Sequence, residues 1–161
     1  MEEAVIRGVA HDSSEAKLTV HGVPDKPGVA AAVFEPLAGE GVNVDMIVQN
    51  VSTRGVTDIS FTVPGDTAVT AVAVAERVAA DLGAAGVDLD DDIARVSIVG
   101  AGMKAESGIA AKMFRILSDH GINIEMISTS AIRISCVVAE PDMETAVVAL
   151  HSAFRLDVAP T

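Results

Sequence analysis

A turn near residue 25 sets a carboxylate beside the start of a helix. Pro24-Asp25-Lys26-Pro27-Gly28 is followed by apolar residues at helical spacing, namely Val29, Val33 and Leu37. The first N–H groups of a helix have no partner within it and lie at the positive end of its dipole, so they can bind a carboxylate. Asp25 could accept an ammonium group, and the small Gly28 and Ala30 let a ligand approach the backbone. This combination suits the zwitterion of an amino acid.

Ordinary turn chemistry is the alternative explanation of the same residues. Asp25 can cap the helix, Pro27 suits its first position, and Gly28 can simply turn the chain. On spacing alone, this plainer interpretation is the more common case.

Two asparagines are further candidates for ligand contacts. Asn43 and Asn123 stand at the same position of two matching segments, 41–47 and 121–127, just after a glycine that ends a helix. A side-chain amide offers a ligand both a donor and an acceptor, although ordinary hydrogen bonding within a loop explains it equally well. Gln49 ends an apolar strand, where an amide is either exposed or part of a site.

The sequence lacks a catalytic constellation. Gly100-Ala101-Gly102 has no third glycine at dinucleotide-binding spacing, and Ser128-Thr129-Ser130 has no evident base partner, which favours a turn role. Cys136 lies in an apolar run, where a buried, inert thiol is expected. The four histidines lack metal-ligand spacing, and the acidic run 88–92 is more typical of an exposed strand end or loop than of a cation site. We predict no catalytic activity in this chain alone, no cofactor and no metal.

An internal repeat indicates the elements that position these residues. Gly28 and Gly41 are echoed by Gly108 and Gly121 at the same offset of 80 residues, with similar residues around each pair. A period of this length and fidelity indicates a duplicated supersecondary unit. Each copy reads as strand, helix, strand, strand and helix, with strands predicted over 42–49 and 122–128. The predicted fold class is α+β, with two ferredoxin-like βαββαβ domains in tandem.

The two copies differ in their last strand. The first domain, residues 15–91, closes with a short strand over 87–89, whereas the second, residues 92–155, ends without one. A β-rich segment near the N-terminus, residues 4–11, has no other role in the pattern. We predict that this strand completes the second sheet, so that the first domain is inserted into the second.

Charge and composition limit the possible partners. The chain of 161 residues has 11 Lys and Arg against 23 Asp and Glu, a formal net charge of −12. This charge disfavours nucleic acid and anionic membrane surfaces, which bind clustered positive charge. No apolar run reaches the ~18 residues of a membrane span, and a lone cysteine excludes an internal disulfide. We expect a soluble, cytoplasmic protein that binds neither nucleic acid nor membranes.

Three longer strings resemble a known family. They are residues 45–52 (Asp-Met-Ile-Val-Gln-Asn-Val-Ser), 99–103 (Val-Gly-Ala-Gly-Met) and 127–135 (Ile-Ser-Thr-Ser-Ala-Ile-Arg-Ile-Ser). Together with the Pro-Asp-Lys-Pro-Gly turn, they resemble the tandem ACT domains in the regulatory region of aspartokinases. The resemblance covers about residues 5–154, and the chain is similar to the small β subunit of heteromeric (α2β2) aspartokinases.

The resemblance implies a regulatory function. Aspartokinases phosphorylate aspartate with ATP on the route to lysine, threonine and methionine, and their ACT domains bind threonine or lysine and transmit feedback inhibition. The implied partners are this amino-acid effector, a catalytic α subunit and, for the isolated chain, a second copy in a homodimer. Whether threonine, lysine or both are sensed stays open.

The resemblance also implies effector contacts at matching positions of both domains. Those in the first domain are Asp25, Lys26, Pro27, Gly28, Val29, Ala30, Asn43, Val44, Asp45 and Gln49. Those in the second are Ile109, Ala110, Asn123, Ile124, Ser130 and Ala131. Ser52 and Ser60 match positions associated with lysine sensitivity, although the hairpin at 51–57 is short compared with that of many relatives.

Two other functions are compatible with the pattern. A free-standing ACT sensor, such as the small subunit of acetolactate synthase, would share the fold, but the string at 127–135 argues against it. A small enzyme on the same scaffold, such as an acylphosphatase, needs an arginine in its phosphate-holding loop, where this chain offers only Lys26.

Overall fold

The chain divides into two compact units. The structure, a computed structural model, describes residues 5–50, 52, 54–101 and 108–154. The first unit comprises residues 14–91, and the second comprises the described residues up to 13 together with those from 92 onward. Each unit has its own four-stranded sheet and its own hydrophobic core.

The first unit follows strand β1 (Val5–Asp12) and contains four antiparallel strands and two helices. Its elements are β2 (Glu15–Pro24), α1 (Val29–Gly39), β3 (Ile47–Gln49), β4 (Val56–Pro64), a 3₁₀ turn (Gly65–Thr67), α2 (Ala68–Leu82) and β5 (Gly86–Asp90). The strand order β3-β4-β2-β5 places the first and third strands of the unit at the centre, which is the ferredoxin-like arrangement.

The second unit repeats this arrangement. Its elements are β6 (Ile93–Ala101), α3 (Gly108–Asp119), β7 (Met126–Thr129), β8 (Arg133–Ala139), a 3₁₀ turn (Glu140–Asp142) and α4 (Met143–Ala153). β1 pairs antiparallel with β6, with Val9 opposite Ile98, and so takes the place that β5 has in the first sheet. The predicted α+β class with two ferredoxin-like sheets is confirmed.

Residues that repeat in the sequence take equivalent buried positions in the two cores. In the first unit Leu18 of β2 and Leu37 of α1 are fully buried, and the rings of Phe34 and Phe61 meet edge to face with centroids 5.2 Å apart. In the second unit Leu117 of α3, the counterpart of Leu37, is also fully buried. Each helix pair therefore covers one face of its own sheet.

The edge strands β3 and β7 are shorter than the predicted 42–49 and 122–128, because a bulge interrupts each one. In the first unit Thr62 of β4 pairs with two residues, since its carbonyl accepts the N–H of Asp45 and its N–H donates to the carbonyl of Met46. In the second unit Val137 pairs with Met126 and also accepts the N–H of Glu125. Two residues opposite one are a β-bulge, and the residues before it leave the sheet.

Candidate functional site

The turn before α1 leads into the first N–H groups of the helix, of which that of Val29 donates to the carbonyl of Lys26 at 3.3 Å. α1 begins at Val29, and its N-cap is Gly28 with φ +91°, a left-handed conformation that glycine adopts without strain. No side chain in the described ranges caps this end. Two predictions are therefore wrong: Asp25 is not the cap, and Pro27 precedes the helix instead of taking its first position. The reason is the left-handed Gly28, which turns the chain between them and the helix.

Asp25 stands beside this helix end with an exposed carboxylate. Its backbone N–H donates to the carbonyl of Gly55 at 2.9 Å, which ties the turn to the loop after β3. Lys26, Pro27 and Ala30 are exposed as well, whereas Val29 is buried in the core. A carboxylate beside the positive end of a helix matches the ammonium and the carboxylate of an amino acid.

Gln49 lies opposite Ile59, near the middle of β4. It is the last residue of β3, and its side chain is exposed. The next residue, Asn50, is anchored to β4, because its carbonyl accepts the hydroxyl of Thr57 at 2.5 Å and its N–H donates to the carbonyl of Asp58 at 3.4 Å. Gln49 is therefore three strand residues, about 10 Å along β4, from the level of Val56, where the turn before α1 begins.

The contacts predicted at Asn43, Val44 and Asp45 lie at the opposite end of the unit. Asn43 and Asp45 are exposed and come after the end of α1, and the N–H of Asp45 bonds to Thr62. The turn before α1 begins after Pro24, which pairs with Val56 of β4. Val56 is six strand residues from Thr62, or about 20 Å along β4. A single unit therefore does not bring its own two groups of contacts together.

The second unit has the same two places. Ile109 and Ala110 are half-buried in the first turn of α3, next to residues 102–107, which lie outside the described ranges. Asn123 is exposed after the end of α3, and Ile124 beside it is half-buried. Both line an open cavity of about 430 Å³, together with Phe114, Ser118, Gly121 and Ile122. Such a cavity is within the size range of small-molecule sites.

Ser130 closes the turn between β7 and β8. Its Oγ accepts the N–H of Arg133 at 3.1 Å and that of Ile132 at 3.3 Å, and its own N–H donates to the carbonyl of Arg133 at 2.8 Å. The turn role that its sequence context favoured is thus the one observed. Ala131 is exposed in the same turn.

The two predicted lysine-sensitivity positions differ in their surroundings. Ser60 lies on β4, and its Oγ is 2.9 Å from the Oγ1 of Thr19 on β2. Ser52 is half-buried and stands between residues 51 and 53, which lie outside the described ranges.

A cluster that the sequence did not predict lies on the face of the first sheet that carries Thr19 and Ser60. His21 of β2 is held between two carboxylates, with Nδ1 3.3 Å from Oδ2 of Asp58 and Nε2 2.6 Å from Oδ2 of Asp88. The other oxygen of Asp58 accepts the N–H of Gly22 at 2.9 Å. The alternation of β2 predicts a polar face at His21, but its partners stand 37 and 67 residues away, so only the folded sheet pairs them.

Hydrogen bonding shifts the ionisation of this cluster. The hydrogen bond to Asp88 raises the pKa of His21, partly opposed by burial, and Asp58 raises it further. The backbone N–H of Gly22 lowers the pKa of Asp58, with a further contribution from His21. The side chains of His21, Asp58 and Asp88 are 38%, 46% and 78% exposed, so water screens these charges.

Thiol and metal chemistry find no support among the described residues. Cys136 is fully buried, as predicted, and burial raises the pKa of its thiol to about 12. Within the described ranges, no group of three His, Cys, Asp or Glu side chains could hold a metal ion. None of the helices in this part of the chain is both long and apolar enough to span a membrane.

Comparison with known sequences identifies one family. The chain matches the ACT domain family over residues 9–78 and 96–154. The aspartokinase of Pseudomonas aeruginosa is 48% identical over 157 residues, which are 98% of this chain and 38% of that protein. The aspartokinase of Corynebacterium glutamicum is 47% identical over 158 residues, 97% of this chain and 38% of that protein. The chain thus spans 38% of the length of these relatives.

Solved structures of aspartokinase regulatory chains match this chain over nearly their whole length. The regulatory subunit of aspartate kinase from Thermus thermophilus, in a ligand-free form, is 43% identical with a TM-score of 0.89, over 92% of this chain and 98% of that one. A chain in a structure of aspartokinase alpha and beta subunits is 44% identical with a TM-score of 0.89, over 94% of this chain and 99% of that one.

Proposed function

The chain belongs to the ACT domain family, in the tandem form of aspartokinase regulatory regions, and on this premise we propose that it is the regulatory part of an aspartate kinase. It binds threonine, lysine or both where two ACT domains meet, and it transmits feedback inhibition of aspartate phosphorylation in lysine, threonine and methionine biosynthesis. It carries no catalytic activity of its own.

The proposal includes an assembly and a domain organisation. The partner is the catalytic α subunit in an α2β2 enzyme of the cytoplasm, and the isolated chain forms a homodimer. The first ACT domain, residues 15–91, is inserted into the second, which comprises residues 92–155 and the strand 4–11. The pairing of β1 with β6 supports this insertion.

The observation that carries the effector site is the separation of the predicted contacts within each unit. The helix start with Asp25 and the loop with Asn43 lie at opposite ends of the first unit, and α3 separates Ile109 from Asn123 in the second. A complete site therefore needs one end from each of two units. Antiparallel alignment of the first unit of one chain with the second unit of another supplies both.

The edge strands favour this alignment. β3 and β7 are each the last strand of their sheet, and unpaired backbone groups at an edge are ready to pair with another chain. Ile47 on β3 and Ile127 on β7 are 54% and 45% exposed, so both edges also carry uncovered apolar surface. Pairing β3 of one chain with β7 of a second chain gives the edge backbone groups hydrogen-bond partners and covers Ile47 and Ile127.

The chemistry of the two ends matches an amino acid. The N–H groups at the start of α1 bind the effector carboxylate, and Asp25 accepts its ammonium group. Asn123 of the second chain contributes its amide from the cavity at that end. An effector that binds the paired state more tightly shifts the population toward the inhibited enzyme, by a coupling free energy of typically about 1–3 kcal/mol.

Calorimetry with threonine and with lysine tests the proposal. Asp25→Ala and Asn123→Ala should each weaken effector binding by about tenfold or more, since each removes a hydrogen bond to a charged ligand group. Asp81→Ala, which removes an exposed carboxylate on α2, is the matched control and should leave the affinity unchanged. Unchanged threonine and lysine affinity in Asp25→Ala would contradict the role given to that residue.

A further inference from the structure

The His21 cluster lies where β2 changes course before the effector turn. The pairing of β2 with β4 shifts register between Val20 and Val23, and Gly22 in this bulge has φ +65°. A bulge bends its strand and changes the direction of the residues beyond it. Asp25 is among those residues, because it stands in the turn directly after the end of β2.

Asp58 holds this bulge from the neighbouring strand. One carboxylate oxygen accepts the N–H of Gly22 at 2.9 Å, and the other lies 3.3 Å from Nδ1 of His21. From β5, Asp88 holds the other ring nitrogen of His21 at 2.6 Å. The bulge is therefore held from both sides by side chains.

The backbone transmits the direction of the bulge to the turn. Beyond Gly22, Val23 pairs with Thr57 and Pro24 with Val56, and the N–H of Asp25 then bonds to Gly55. Each step is one residue of a continuous ladder. A change at Gly22 therefore reaches Asp25 along the backbone of β2, through the buried Val23 and then through Pro24.

We propose that Asp58 and His21 are positioning residues of the effector turn, because they fix the bulge at Gly22 and thereby the direction in which the chain reaches Asp25. The inference rests on the proposed function, in which the turn at Asp25 binds the effector. Neither residue touches the effector in this account; both act through the backbone between Gly22 and Asp25.

The cluster also makes the positioning depend on pH. A protonated imidazole donates from both nitrogens, to Asp58 and to Asp88, whereas a neutral one has a single N–H. In the described chain, the other ionisable groups on this face of β2 and β5 are Glu15, Lys17 and Asp90. Lys17 pairs with Asp90 in register, and β3 contributes none.

The direction of this pH dependence follows from the shifted pKa values of His21 and Asp58. The pKa of His21 is raised, so its contribution is complete below pH 6.5 and is lost as the pH rises through the raised value. The pKa of Asp58 is lowered, so its contribution is present above pH 3.8 and is lost as the pH falls through the lowered value. The turn is therefore held best between pH 3.8 and 6.5.

The test combines effector affinity with amide hydrogen exchange on the full chain. Asp58→Ala should speed exchange at Gly22 and Asp25 and weaken threonine or lysine binding by about tenfold. Asp58→Asn keeps an acceptor for Gly22 and should recover most of both. His11→Gln, an exposed histidine on β1, is the matched control and should change neither. Unchanged exchange at Asp25 in Asp58→Ala overturns the positioning role.

Measuring effector affinity at different pH values tests the role of His21 separately. Wild-type effector affinity should fall about two- to fivefold from pH 5.5 to 8.5, and His21→Gln should abolish this difference. An equal pH effect in His21→Gln overturns the role of that residue. If the wild type binds neither threonine nor lysine, the proposed function has failed, and the exchange at Gly22 and Asp25 still decides whether Asp58 positions the turn.

Discussion

A substitution at Gly28 should lower effector affinity by more than its loss of folding stability explains. Its φ of +91° lies in the left-handed region, and a Cβ added there would meet no atom within 4 Å. Gly28→Ala therefore costs backbone strain alone, about 1–2 kcal/mol of the free energy of unfolding. The chain can relieve this strain by rotating the peptide before Val29, which redirects the first N–H groups of α1. Losing one hydrogen bond to a carboxylate costs about 1.5–3 kcal/mol, or about ten- to 150-fold in affinity.

The matched control is Gly83→Ala at the C-terminal end of α2. Gly83 also has a positive φ, +69°, and open space around its Cβ position, but it is not among the predicted effector contacts. Urea unfolding should show similar destabilisation of both variants, whereas calorimetry should show weak threonine or lysine binding only in Gly28→Ala. Equal effector affinity in the two variants would refute the role of the α1 N–H groups.

Two further predictions concern the second unit. Ser97 and Ser135 are buried with their Oγ atoms 2.7 Å apart, so either single change to Ala should cost about 1–2 kcal/mol in urea unfolding, because one hydroxyl keeps no partner. The double variant should cost no more than either single one, and a loss equal to their sum would contradict this explanation. Cys136, with its pKa raised to about 12, should resist a thiol reagent at pH 8 until the chain is unfolded; rapid labelling of the native protein would show that its burial is wrong.

The architecture was predictable because the repeat carries it. The glycines that start and end the first helix of each copy fixed the helix positions, and the apolar residues between them gave the buried stripe of Val33 and Leu37. The N-terminal strand could be assigned to the second sheet because the sequence pattern of the second copy predicts no closing strand. Both inferences use local patterns, which a single sequence displays directly.

Other features depend on residues that the sequence cannot pair. The late start of β3, at Ile47, comes from Thr62, which bonds to both Asp45 and Met46 across the hairpin. The cap at Gly28 depends on a left-handed dihedral angle, which a glycine permits but does not require. The contacts of His21 come from two other strands. Each of these is a long-range or conformational choice that residue types alone leave open.

Mixing two defective variants tests the central claim that an effector site is shared between two chains. Chains with Asp25→Ala and chains with Asn123→Ala are each expected to bind effector poorly. After mixing in equal amounts and exchange of subunits, half of the dimers contain one of each, and each such dimer has one site with neither change. Calorimetry should then recover high-affinity binding at about one quarter of the wild-type stoichiometry. A mixture that binds no better than the separate variants would contradict a site built from the first unit of one chain and the second unit of another.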